Sequence, residues 1–146
     1  WYEYAGGEMT DTGAHHLDIA QWGIGQQLSG PVEIEGTARF PTVENGFNVA
    51  IDYHALYRYA NGVVRTCRPG NPSIKFIGTD GWVGNTGWRA PVQASSKEIL
   101  QSKIGPEELL PDFRGCPMDW RLALLARLAR WSSRRADRSR RAARPT

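Results

Sequence analysis

Between Thr10 and Ile24 the apolar side chains recur at helical spacing. Leu17, Ala20 and Ile24 share one side, and Thr10 or Asp11 is placed to cap the start. Gly23 and Gly25 are the expected stop. From Pro31 the period changes to two. In PVEIEGTARF, Val32, Ile34, Ala38 and Phe40 alternate with Glu33, Glu35, Thr37 and Arg39, which predicts a strand with one buried face. NVAIDYHALYRYANG repeats the pattern. Val49, Ile51, Tyr53, Ala55, Tyr57 and Tyr59 fall on one side, and Asp52, His54 and Arg58 on the other. Asn61-Gly62 is a strong hairpin signal, with VVRTC as the returning strand. SIKFIGTDGWVG reads as a second hairpin, turning at Thr79-Asp80-Gly81 and carrying Trp82 and Val83 on its return.

The expected elements are therefore a helix over 11–23 and strands near 32–40, 48–60, 63–68 and 74–83. Residues 1–9 read as a loop with Trp1, Tyr2 and Tyr4 as aromatic anchors, ending in Gly6-Gly7. Residues 86–117 are rich in Pro, Gly and Ser and read as a long excursion, with one short helical turn near Pro106. Helix first and then hairpins is an α+β order: an open, mostly antiparallel sheet with helices on one face.

Composition adds a boundary. The chain has 146 residues, 40% of them hydrophobic, enough for one globular domain with a modest core. Its formal charge of +3 is unevenly placed. From residue 119 on there are nine arginines against two aspartates, so residues 1–118 are mildly acidic. That divides the chain into an α+β body over 1–118 and an Arg-rich tail over 119–146. The tail lacks lysine altogether. It reads either as a disordered extension or as an aberrant, frame-shifted end. Deleting it is expected to leave the fold standing, although DWRLALLARLARW has helical spacing. A basic footprint for nucleic acid would have to belong to the tail alone, and neither a nucleic-acid nor a membrane partner is expected. Cys67 and Cys116 fit no metal-ligand spacing. No apolar run approaches the roughly 20 residues of a membrane-spanning helix. The compartment stays open between cytoplasmic and periplasmic.

The candidate chemistry lies on the first helix. Asp11, His15, Asp18 and Trp22 are spaced by four, three and four, one stripe of a helix, with His16 turned about 100° away. A histidine beside a carboxylate suits proton transfer: the carboxylate orients the ring and steadies the imidazolium. Gly13 would leave room for a ligand near the backbone, and the helix N-terminus favours an oxyanion. Plainer readings stand beside this one. Asp11 is accounted for as an N-cap, and Asp18 as a partner of a structural His15. Glu8, Asp11, His15 and His16 lack the H-E-x-x-H spacing of a zinc site, so no metal is expected.

GGEMTDTGAHHLDIAQW resembles the G-G-x-x-x-D-x-G-x-H-x-x-D segment of the glucose–fructose oxidoreductase/inositol dehydrogenase family (Gfo/Idh/MocA). Gly6, Gly7, Asp11, Gly13, His15 and Asp18 each fall on that pattern. GPVEIEGTARFP resembles the first strand of the family's C-terminal domain, and FIGTDGWV its G-T-x-G hairpin; the resemblance covers about residues 1–118. It implies an NAD(P)-dependent oxidoreductase acting on a sugar or polyol hydroxyl, and a homo-oligomer formed through the sheet face. His15 matches the residue that takes the hydroxyl proton as hydride passes to the nicotinamide. Asp11 matches the carboxylate that orients substrate and imidazole. His16 and Asp18 are the expected substrate-binding residues. The cofactor, NAD or NADP, is implied to sit on a separate N-terminal Rossmann domain, which would also supply a lysine from an E-K-P segment. The sequence holds neither an E-K-P segment nor a G-x-G-x-x-G loop; GIGQQLSG, Gly23 to Gly30, follows a helix instead of joining a strand to one. The chain thus reads as a C-terminal-domain fragment that is inactive alone. The alternative is a non-catalytic oligomerisation or interaction module.

Overall fold

The computed structural model describes residues 1–44, 46–87 and 90–103. They form two compact units: Trp1–Gln21 with Gln26–Pro72, and Trp22–Gly25 with the chain from Ser73 onward. The fold is α+β, and its strands divide between two three-stranded antiparallel sheets, where one continuous sheet was expected. In the connector after the third strand Pro69 and Pro72 flank Gly70-Asn71, and proline has no N–H with which to lengthen that strand.

In the first unit, a 3-10 turn (Gly7–Met9) leads into helix α1 (Thr12–Gly23), of which all but the last two residues belong to this unit. Strands β1 (Glu33–Arg39), β2 (Asp52–Arg58) and β3 (Val64–Cys67) follow, in the order β1-β2-β3. The register pairs Ile34 with Tyr57, Gly36 with Ala55 and Ala38 with Tyr53. Directly opposed residues share a face, so the apolar sets of the two strands do meet. Their polar sets share the other face, where Arg58 bridges Glu33 at 3.3 Å and Glu35 at 2.8 Å. The Asn61-Gly62 hairpin forms as its sequence predicts. Tyr59 N–H donates to Val63 O at 3.0 Å, and the Asn61 side chain accepts from Val63 N–H at 3.1 Å.

Three expectations need correction. All seven residues of β1 are exposed, so its apolar side is not buried: nothing among the described residues covers the outer third of the sheet. The second strand begins at Asp52 instead of near residue 48, because Val49 leaves the ladder and packs under Gly7, where it is only 1% exposed. Trp1, Tyr2 and Tyr4 are exposed and bury no large surface among the described residues. That segment is held by Tyr2 N–H donating to Asn48 Oδ1 at 2.7 Å, and by Asn48 Nδ2 donating to the Glu3 carboxylate.

Polar contacts fasten α1 to the β2–β3 half of the sheet. Tyr59, 3% exposed, donates its hydroxyl to Gln21 Oε1 at 2.6 Å. Arg65 lies over the Tyr57 ring at 4.1 Å and donates to Leu17 O at 3.3 Å. Its buried Nε finds no hydrogen-bond partner among the described residues; the tyrosine face compensates only in part. The helix ends in a Schellman arrangement: Gly25 N–H donates to Trp22 O and Gln26 N–H to Gln21 O. Gly25, at φ +68°, is therefore the terminating residue, and Gly23 is still helical.

The second unit holds β4 (Ile74–Gly78), β5 (Gly81–Asn85), β6 (Gln93–Ala94) and α2 (Lys97–Gln101). The β4–β5 hairpin turns at Thr79-Asp80, with Gly78 opposite Gly81. The first part of the expected excursion is thus structured. Ser96 caps α2 by accepting from Ile99 N–H at 3.4 Å. The turn expected near Pro106, Cys116 and the tail 119–146 lie outside the described residues.

Candidate functional site

The first helix presents two sides. Asp11, Ala14, His15 and Asp18 are exposed, while Leu17, Ala20 and Gln21 turn inward. The outward set follows helical spacing: Asp11, His15 and Asp18 of the expected stripe are exposed, while its fourth member, Trp22, is half-buried. Asp11 occupies the position before the first helical residue, and its carbonyl accepts from Ala14 N–H at 3.0 Å. It is at the N-cap, as the plainer reading also requires.

His15 and Asp18 act on each other electrostatically. Partial burial raises the Asp18 carboxyl above its ordinary value of 3.8, and the nearby His15 charge opposes that rise. The sign follows. An acid whose folded pKa is raised favours the protonated folded state, so its contribution is present below pH 3.8 and lost as pH climbs through the folded value. Ionised Asp18 is then held at a small cost at neutral pH. Asp18→Asn is expected to raise the thermal midpoint slightly at neutral pH and to leave it unchanged below the carboxylate's ordinary pKa. A lower midpoint at neutral pH would show that attraction to His15 outweighs desolvation.

His16 is placed differently. It is half-buried, and its Nδ1–H donates to Thr12 O at 3.0 Å. A carbonyl acceptor requires the proton on Nδ1, so this contact fixes both ring orientation and tautomer. The structure therefore brings Asp11, His15 and Asp18 to one exposed stripe and sets His16 apart from it.

The role expected for Gly13 changes. A Cβ built there would lie 3.0 Å from the Glu8 carbonyl oxygen. The space is occupied by the 3-10 turn and is not open to a ligand. Gly7 serves the same packing, at φ +74° with a notional Cβ 2.5 Å from Val49. Gly13 thus lets the turn close onto the helix start, and Gly7 lets it close onto Val49.

Sequence reasoning did not single out the side chains on the apolar face beneath that turn. Tyr53 is pushed up to about 12 by burial, with lesser contributions from Cys67, Glu8 and Tyr57. Burial likewise raises the Cys67 thiol, which keeps it protonated and unreactive. Among the described residues no three His, Cys, Asp or Glu side chains gather as a metal site, and no helix is long and apolar enough to cross a membrane. Compared with known families, characterised proteins and solved structures, the chain matches none.

Proposed function

We propose that this chain is the proton-accepting, substrate-holding part of an NAD(P)-dependent oxidoreductase acting on a sugar or polyol hydroxyl. The observation that carries the reading is the outward stripe of Asp11, His15 and Asp18 on a helix whose other side is tied to the sheet by Gln21 and Arg65. In this reading a substrate hydroxyl gives its proton to an imidazole nitrogen of His15. Asp18 and Asp11 then stabilise the imidazolium, and His16 and Asp18 hold neighbouring hydroxyls. Oxidation of the alcohol carbon needs a hydride acceptor, and the described residues do not fit one. Gly23–Gly30 runs from α1 to β1, whereas a dinucleotide loop runs from a strand into a helix. In this reading the described residues supply the acid–base part of the reaction.

The test is a nuclear magnetic resonance titration of the labelled full chain with a panel of sugars and polyols. Shifts confined to Asp11–Asp18, including the His15 ring, are expected. With NAD or NADP and the same panel the chain alone should yield no reduced nicotinamide. Absence of shifts at high polyol concentration would remove the site; turnover by the chain alone would remove the division of labour.

A second reading, association through the sheet into a homo-oligomer, is favoured by one observation. Val32, Ile34 and Phe40 are 69%, 62% and 54% exposed on a strand that nothing in the described chain covers. Both readings fit one protein.

A further inference from the structure

We infer that β1 pairs edge to edge with β1 of a second copy, antiparallel about a twofold axis through Gly36. This deepens the association reading and is independent of the chemistry assigned to α1. β1 is the outermost strand of the first sheet, bonded to β2 on one side only among the described residues. Such an edge offers a row of backbone donors and acceptors to another strand. Natural edges are blunted by charged side chains, lysine above all, by proline or by a bulge. The β1 sequence EIEGTAR has neither lysine nor proline, and its register with β2 is unbroken from Glu33 to Arg39. Its charges, Glu33, Glu35 and Arg39, are of both signs, so they bar a like-charged strand and admit a complementary one.

The sequence of the strand selects its occupant. Folded about Gly36, EIEGTAR is self-complementary. Glu33 falls opposite Arg39 of the copy, twice by symmetry. Ile34 falls opposite Ala38, Glu35 opposite Thr37, and Gly36 opposite Gly36, where no side chains collide at the axis. The flanking Val32 and Phe40 oppose each other, and both are more than half exposed. Opposite charges and apolar pairs directly across a ladder are favourable. Each pair also joins residues of equal parity, so apolar side chains meet on one face and charged ones on the other. The neighbouring registers are poorer. A shift one way sets Glu35 against its own copy. A shift the other way keeps a charge pair, Glu35 with Arg39, but sets Glu33 against Pro41, which cannot donate to the ladder, and leaves Glu33 without a cationic partner across the axis. The contact is isologous and closes at two copies, doubling the three-stranded sheet. It is small compared with obligate dimer interfaces, so a concentration-dependent equilibrium is expected.

The experiment uses the full chain across micromolar to millimolar concentrations, with sedimentation and amide hydrogen exchange read together. A monomer–dimer equilibrium is expected in which β1 amides become protected as the dimer forms. Arg39→Glu alone and Glu33→Arg alone should each weaken the dimer by about tenfold or more, since two attractive charge pairs become repulsive. The exchanged pair Glu33→Arg/Arg39→Glu should restore it. An equimolar mixture of the two single variants should form the heterodimer, because every charge pair across the axis is again opposite. Circular dichroism on each variant separates loss of pairing from loss of fold, and the rescue stands even where one single variant folds poorly. A dimer indifferent to these charges, or one that leaves β1 amides unprotected, would overturn edge pairing while keeping association by another surface. A chain that stays monomeric throughout would overturn both.

Discussion

Gly7→Ala is expected to destabilise the first unit by about 2–5 kcal/mol, lowering its thermal midpoint by about 10 °C or more. Two costs add. Gly7 sits at φ +74°, where an L side chain pays roughly 1–2 kcal/mol of backbone strain. The new Cβ would also lie 2.5 Å from Val49 Cγ2. Val49 is the most deeply buried side chain of the described core and has little room to yield, so overpacking adds about 1–3 kcal/mol. Gly62→Ala is the control. Gly62 is also left-handed, at φ +84°, but nothing lies within 4 Å of its notional Cβ, so only the first cost applies. Chemical denaturation of both variants isolates the clash as their difference. Equal losses at the two positions would show that the turn over Val49 does not hold the helix start. The effect should also reach the candidate site, because the same turn sets the Glu8 carbonyl over Gly13 and so fixes where Asp11 begins the helix.

How much of this could be read from sequence depends on the range of the cause. Alternation along 32–40 and 49–59 is local, and the register that joins Ile34 to Tyr57 confirms which residues share a face. The Asn61-Gly62 turn and the helix over Thr12–Gly23 were legible for the same reason. Burial was not. An apolar face says what a strand would bury and not whether anything covers it, and β1 stays exposed on both sides. The excursion after residue 86 hid β6 and α2 because its Pro, Gly and Ser content masked one usable signal, Ser96 two residues before Glu98 at the start of an apolar pair. Gly13 shows the limit most directly. Its position within a pattern suggested an open approach for a ligand, and only the fold shows the Glu8 carbonyl filling that space. The stripe of Asp11, His15 and Asp18 needed only helical geometry. The groups that hold its helix in place, Gln21, Tyr59 and Arg65, are joined across 38 to 48 residues of sequence, and no local pattern reports them.

The separation of the two adjacent histidines sets the last expectation. In a cofactor-competent protein carrying this segment, His15→Ala is expected to lower kcat by 10²–10⁴-fold, the usual worth of a positioned general base. His15 shares the exposed stripe with Asp11 and acts electrostatically on Asp18, so its imidazolium would form between two carboxylates. Asp11→Asn should lower kcat by less, since it removes charge stabilisation and leaves the base in place. His16→Ala should act mainly on KM. The His16 ring is half-buried, held by the Thr12 carbonyl through Nδ1, and set apart from the exposed stripe of Asp11 and Asp18, so it lacks the carboxylate pair that would steady an imidazolium. Steady-state kinetics of the three variants, read as separate changes in kcat and KM, decide the assignment. Near-normal kcat in His15→Ala together with loss of turnover in His16→Ala would reverse the roles: the anchored ring would then be the base, and its bond to Thr12 would fix the basic tautomer.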